Sequence, residues 1–304
     1  MPHAVPSRHD DASVQFRPIA SPVCYRHPDR PTGRACTRCG KPACSDCLVQ
    51  ASVGSHCLEC VKAAQPPTSV RVKRWNAGQN ILVTQILVAV NVGLYLVSVA
   101  VNKGGFTPFS DNGEFQYRFG LVADPVVTRA GALYAGVADG AWWRMITSGF
   151  THYGFLHVGF NCWILYQLGR MLEPALGRVR FGLLYFTALL GGSALVMVLS
   201  PHDLTAGASG AVFGLLGAAA VGLRQRGVNV FQTGIGVTIL INLALTFGIG
   251  GISIGGHIGG LVAGALVSIP LLAPRRGKPP AWIYAVPVAM MVTFVVIVEV
   301  AARR

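Results

Sequence analysis

Seven runs of apolar residues, at about 80–101, 152–172, 180–199, 208–223, 230–247, 253–273 and 281–301, dominate this chain of 304 residues. Each approaches the ~20 residues a helix needs to cross the hydrocarbon layer of a bilayer. In that layer every backbone N–H and C=O must be satisfied internally, so the runs are expected to be helices. With 52% hydrophobic and 12% charged residues, the composition excludes an ordinary soluble domain. The expected fold class is therefore an all-α polytopic membrane protein. A formal charge of +13 would suggest nucleic acid as a partner of a soluble chain. Here the excess falls in the N-terminal segment and in short loops between runs, where it sets topology instead.

Arg170, Arg178 and Arg180 lie around the junction of the second and third runs, Arg224 and Arg226 between the fourth and fifth, and Arg275, Arg276 and Lys278 between the sixth and seventh. The alternate loops, "SPHDLTAGA" and "GIGGI", carry no Lys or Arg. By the positive-inside rule this predicts a multi-pass protein of the cell membrane with its N-terminus cytosolic and its C-terminus outside, although Arg303 and Arg304 oppose that assignment mildly. The polar opening "MPHAVPSRHDDASVQFRP" has no apolar core of a signal peptide, so residues 1–20 are expected to stay attached as a disordered N-terminus.

Seven of the eight cysteines fall between Cys24 and Cys60, in the pattern Cys24-x2-His27, Cys36-x2-Cys39, Cys44-x2-Cys47 and Cys57-x2-Cys60. Four pairs supply eight soft ligands, the number for two tetrahedral zinc sites, with His56 an alternative to Cys57. So short a segment, rich in Pro and Gly, lacks the apolar mass for a core of its own, and two structural Zn2+ ions would supply its folding free energy. An odd cysteine count and the completing histidine argue against a disulfide knot, and a reducing cytosol keeps the thiolates free for metal. The module is placed at 21–62, with a linker and basic juxtamembrane segment at 63–79. No groove-reading helix is evident, so no nucleic-acid partner is expected; a cytosolic protein partner is the open possibility.

Polar residues inside spans are expensive and therefore candidates for function. They are His157 and Asn161 in the second run, Ser209 opening the fourth, Asn242 in the fifth, read as a packing or interhelical contact, and His257 in the sixth, with His152 at the outer rim of the second. The second, fourth and sixth runs enter from the same side, which brings His157, Ser209 and His257 to one level. Gly207, Gly210 and Gly214 flank the serine, and Gly256, Gly260 and Gly264 form a small-residue stripe about the histidine. Helices stripped of side chains approach closely enough for a serine and an imidazole to meet. Between Phe150 and Val298 the carboxylates are Glu173, at the cytosolic end, and Asp203, in an outer loop, so a buried acid is missing. The inference is a Ser209/His257 dyad needing no cofactor, with the imidazole supported by Phe213 one turn below the serine. His157, Asn161 and the Ser209 backbone N–H, at a helix start, are candidate oxyanion donors. A serine in an apolar helix is ordinarily a packing residue, and only the conjunction points to chemistry.

These motifs resemble the rhomboid family of intramembrane serine proteases. The resemblance covers 80–301 through Trp143-Arg144, "FTHYGFLHVGFN", Glu173 with Gly177, "GASG" with Ser209, and His257-x2-Gly260-x3-Gly264. It implies a six-helix core plus a seventh transmembrane helix, the Ser209/His257 dyad, the oxyanion donors named above, and a Gly-rich outer loop near "GIGGISIGG". It also implies transmembrane proteins as substrates, cut near the outer membrane face. Phe213 departs from the tyrosine often present there. The N-terminal module resembles a B-box zinc finger, which implies cross-braced sites: Cys24, His27, Cys44 and Cys47 for one ion, Cys36, Cys39, Cys57 and Cys60 for the other. The alternative reading is a non-catalytic membrane adaptor or chaperone that binds transmembrane helices and recruits partners through the zinc module.

Overall fold

The structure, a computed structural model, describes residues 21–65, 70, 80–103, 107–108, 113–128, 130–273 and 279–304. The expected disordered N-terminus, the linker from 66 to 79 apart from Val70, and Arg275, Arg276 and Lys278 lie outside the described residues. The chain divides into two compact units, within 1–78 and 79–304.

In the first unit two short antiparallel hairpins, β1 (Val23–Cys24) with β2 (His27–Pro31) and β3 (Leu48–Gln50) with β4 (Ser55–Cys57), precede helix α1 (Leu58–Ala64). The helix runs two residues past the expected boundary at 62. Its buried apolar cluster is Cys24, Ala43 and Cys47, with Tyr25, Cys44 and Leu48 against it. Three side chains cannot offset the conformational entropy of ordering a module of this length, so cross-links must do so.

Among its described residues the second unit contains seven long helices: α2 (Leu82–Val101), then, after an outer segment, α5 (Phe155–Leu176), α6 (Arg178–Leu199), α7 (Ser209–Gln225), α8 (Gly234–Gly248), α9 (Ile254–Leu272) and α10 (Trp282–Ala302). Among the described residues, α2, α6, α9 and α10 are long and apolar enough to cross a membrane by length and composition. α7 and α8 are shorter, at 17 and 15 residues, and α5 is long but carries the polar set. α5 continues past the apolar run that ends at 172, through Pro174, and stops where Gly177 takes φ 75°, a left-handed turn that feeds directly into α6.

α7 is the central element, with Gly210 to Ala219 buried without interruption against α6 and α9. The seam is built from glycine. A methyl group on Gly260 would overlap the Gly210 carbonyl, one on Gly264 the Gly214 carbonyl, and one on Gly214 would sit 2.9 Å from the Gly260 oxygen. Gly192 of α6 joins them, its missing Cβ 2.8 Å from the Gly256 oxygen and 3.6 Å from the Gly210 Cα. Three backbones thus meet with no side chain between them.

The outer segment, from which the sequence analysis draws only the Trp143-Arg144 motif, has a structure of its own. Helix α3 (Glu114–Phe119), hairpin β5 (Val126–Val127) with β6 (Leu133–Tyr134), and helix α4 (Arg144–Thr147) surround the buried Arg144 guanidinium, which donates to the Ala135, Tyr117 and Gly120 carbonyls. Both tryptophans are exposed. A backbone bridge between Leu121 and Thr205 ties this segment to the loop that leads into Ser209.

Candidate functional site

Ser209 is the first residue of α7, and the turn before it is held from several directions. Gly207 N–H donates to the Ser148 carbonyl at 2.9 Å, Ala208 N–H to His152 Nε2 at 3.3 Å, and the Tyr153 hydroxyl to the Leu204 carbonyl at 2.9 Å. Gly207 lies ahead of the helix instead of in the α7/α9 seam. Its φ of 134° suits glycine, and a Cβ there would fall 2.7 Å from His157 Nε2 and 3.6 Å from Ser209 Oγ. The serine hydroxyl and the His157 ring therefore border the same small space. His157 Nδ1 accepts from Tyr153 N–H at 3.4 Å, which leaves the ring proton on Nε2, facing that space. The ring stacks on Tyr153, with centroids 6.0 Å apart and planes within 9°, and meets His152 edge-on. Asn161, one turn further along α5, is buried and spends one amide hydrogen on the His157 carbonyl at 3.0 Å, which leaves the other available.

His257 projects from the first turn and a half of α9, where Ser253 caps the helix through Gly256 N–H at 3.1 Å. Its ring lies flat on Phe213, centroids 4.0 Å apart and planes 17° from parallel. Ser209 and His257 share no hydrogen bond among the described residues. What brings them to one level is the Phe213 stack and the contact of Gly210 with the Gly256 carbonyl, which would sit 3.1 Å from a Gly210 Cβ. Catalytic hydrogen bonds of unliganded sites are commonly long and tighten when substrate binds.

Three features of the second unit are not evident from the sequence. Thr246 of α8 places Oγ1 2.7 Å from His257 Nδ1. Asn242 turns back on its own helix, its Nδ2 donating to the Thr238 carbonyl at 2.8 Å. Glu173, near the other end of α5, caps α2 by accepting the Val83 and Thr84 N–H groups, both at 2.8 Å, and the Thr84 hydroxyl. The signal for Thr246 was present: Thr238, Asn242 and Thr246 recur every fourth residue, a polar stripe down an otherwise apolar helix.

In the N-terminal unit two groups of ligand atoms come together, Cys24, His27, Cys44 and Cys47 in one and Cys36, Cys39, Cys57 and Cys60 in the other, all within 4.8 Å of one another in each group. This is the crossed pairing that the resemblance implies. Cys57 stands in the second group, while His56 pairs with Val49 across the β3/β4 hairpin. His27 Nδ1 lies 3.7, 3.4 and 3.5 Å from the sulfurs of Cys24, Cys44 and Cys47, and Cys39 Sγ lies 3.7 Å from Cys57 Sγ. A tetrahedron with ~2.3 Å zinc–sulfur bonds has edges of about 3.7 Å, so the residues fit the ion. Burial alone raises the Cys24 thiol, but the Cys44 and Arg26 backbone N–H groups outweigh it and hold the pKa at about 6. Cys36 is likewise held at about 6 against burial by the N–H groups of Cys57, Cys39 and Arg38. Burial and the neighbouring Cys24 and Cys44 push Cys47 up to about 11, and hydrogen bonding to Cys39 together with burial pushes Cys60 up to about 12. Each group thus resists full ionisation by itself, a conflict that a bound dication removes.

Residues 139–274, which contain Ser209, His257, His157 and Asn161, match the model of the Rhomboid domain. Over that stretch the chain is similar to the Rhomboid domain. Among curated relatives it is similar to the Rhomboid protease GluP of Bacillus subtilis (strain 168), with 40% identity over 144 residues, 46% of this chain and 28% of the relative. It is similar also to RHOMBOID-like protein 4 of Arabidopsis thaliana, 30% identical over 204 residues, covering 61% of this chain and 51% of the relative. Rhomboid-like protease 1 of Toxoplasma gondii is 30% identical over 171 residues, 53% of this chain and 58% of the relative. The chain thus spans between about a quarter and three fifths of these rhomboid relatives. Four helices among the described residues that are long and apolar enough to cross a membrane, together with the likeness to the Rhomboid domain, support a multi-pass membrane protein.

Proposed function

We propose that this protein is an intramembrane serine endopeptidase that cuts transmembrane segments of membrane proteins near the outer membrane face. The observation that carries the reading is the His257 ring stacked on Phe213, beside the glycine contact that sets Ser209 at the same level. Ser209 Oγ attacks the scissile carbonyl while His257 Nε2 takes its proton; the imidazolium then protonates the leaving amine as the C–N bond breaks. Water, deprotonated by the same imidazole, attacks the acyl-serine, and the proton returns to Ser209 as the acid product leaves. The negative charge of each tetrahedral intermediate is met by His157 Nε2–H, the uncommitted Asn161 amide hydrogen and the Ser209 N–H at the start of α7. Tight anchoring of the turn before Ser209 supports this role, since donors that need no reorganisation stabilise a transition state best.

A substrate helix keeps its carbonyls bonded within itself and cannot offer one to the serine. Segments with Gly, Pro or other weak helix formers near their outer end are therefore the expected substrates. Arg178 and Arg180 at the start of α6 and Arg224 and Arg226 at the end of α7 support an inside-facing lower end, hence a cytosolic N-terminus and an outward C-terminus. The two tetrads would each hold a structural Zn2+ ion in the reducing cytosol, where the module is free to recruit a protein partner. Catalysis itself uses no metal in this scheme.

The test is labelling of the detergent-purified protein with a fluorophosphonate serine probe. Wild type should label, and Ser209→Ala and His257→Ala should not. Absence of labelling in folded wild type would favour the adaptor that binds transmembrane helices without cleaving them.

A further inference from the structure

The dyad has no acidic third member, yet the His257 imidazole is not left to packing alone. Thr246, 2% exposed on α8, places Oγ1 2.7 Å from His257 Nδ1 and 2.6 Å from the carbonyl oxygen of Asn242, one turn back on its own helix. A carbonyl oxygen can only accept, so at 2.6 Å the hydroxyl hydrogen must point to Asn242. The side of Oγ1 that faces His257 is then a lone pair. Nδ1 must carry the ring hydrogen, because two bare acceptors at 2.7 Å would repel. Nε2 is consequently unprotonated, the form in which it can take a proton from a serine. Thr238 and Asn242 continue the same pattern, with Thr238 Oγ1 donating to the Gly234 carbonyl at 2.8 Å. The stripe as a whole therefore aims its hydroxyl and amide hydrogens back along α8.

We propose that Thr246 is a positioning residue that fixes the His257 tautomer, a neutral substitute for the carboxylate of a triad. The inference rests on the reading of His257 as the base, but its first consequence, the proton on Nδ1, is readable without any activity. Threonine suits this place because a carboxylate on the lipid-depth helix α8 would have to be desolvated, whereas a hydroxyl already satisfied by its own helix costs little.

The experiment uses the full chain, labelled with 15N- and 13C-histidine, in lipid at neutral pH, with the His257 signals assigned by difference against His257→Ala. The expected spectrum shows the Nδ1-protonated tautomer in wild type and in Thr246→Ser, and a shift toward Nε2–H in Thr246→Val. Fluorophosphonate labelling is followed in parallel as a function of probe concentration. Thr246→Val should lower the maximal labelling rate on the order of tenfold at unchanged apparent probe affinity, and Thr246→Ser should restore it to within about threefold. An Nε2–H ring in the wild type overturns the proposal whatever the labelling shows. A normal labelling rate in Thr246→Val, alongside none in Ser209→Ala and His257→Ala, overturns it while leaving the dyad standing. Labelling retained in His257→Ala would instead sink the dyad reading, and with it any need for the tautomer.

Discussion

The Glu173 carboxylate reaches from the end of α5 to the Thr84 hydroxyl, 2.7 Å away, and also accepts the N–H groups of Val83 and Thr84. It caps the start of α2 in place of the missing side-chain cap at Ile81. Both Thr84 and Glu173 are buried, so removing the carboxylate strands two helical donors away from water. Glu173→Ala should cost about 2 kcal/mol or more, and Glu173→Gln less, since an amide oxygen can keep one of the bonds. Thermal or SDS unfolding in detergent would measure this; equal stability of the three proteins would mean that the cap is replaced by solvent.

The Phe213 face is the platform for His257, and what matters is its flatness and position. Phe213→Tyr should keep fluorophosphonate labelling within a few fold of wild type. Phe213→Leu, of similar bulk but without a ring, should lower it on the order of tenfold, about 1.4 kcal/mol, with little change in unfolding temperature. A leucine variant as fast as wild type would show that the stack is incidental to the chemistry.

Gly260→Ala places a methyl group on the Gly210 carbonyl, so α7 and α9 must separate. The expected loss is about 1–3 kcal/mol of stability, accompanied by loss of labelling as Ser209 and His257 move apart. Gly159→Ala is the control: it lies on an exposed face of α5 with open space about it, and should be neutral or slightly stabilising. Equal behaviour of the two variants would contradict the close-packed seam.

The metal prediction concerns stoichiometry and pH. Elemental analysis of the full chain should find about two zinc ions, falling to one in Cys44→Ser and in Cys36→Ser. Zinc binding requires thiolates, and without metal Cys47 is held up at about 11 and Cys60 at about 12. Binding therefore displaces protons, and the apparent affinity should weaken as the pH falls from 7.5 to 5.5, where Cys24 and Cys36, held at about 6, also become protonated. Affinity independent of pH over this range, read with a competing chelator, would rule the thiols out as ligands.

The parts of this molecule that were legible in the sequence are those in which one residue type has one physical use. Gly210, Gly214, Gly260 and Gly264 recur every fourth residue or so in apolar helices, and a bare helix face in lipid has few uses other than backbone contact. The cysteine pairs announce metal chemistry by spacing, although their crossed connection came from a resemblance, since spacing within a pair says nothing about which pairs meet. Thr246 was not picked out because a threonine in an apolar helix ordinarily bonds its own backbone. This one does that and also meets an imidazole, and only the α8–α9 hairpin brings the two together. Arg144 is part of a motif in the sequence, but its three carbonyl partners, at Tyr117 in α3, at Gly120 just after it and at Ala135, come from an outer segment whose course no periodicity predicts.

The contacts of Gly260 with Gly210 and of Gly264 with Gly214 work as a ruler. They stand four residues apart on each helix, about 6 Å along its axis, and each is a carbonyl against bare backbone. Sliding α9 along α7 by one residue would bring Leu261 to the place of Gly260 or Ala263 to that of Gly264, a space that admits only a hydrogen atom, so intermediate registers are closed. A serine and a histidine on separate helices, 48 residues apart in the chain, are thereby aligned to less than the ~1.5 Å rise of one residue.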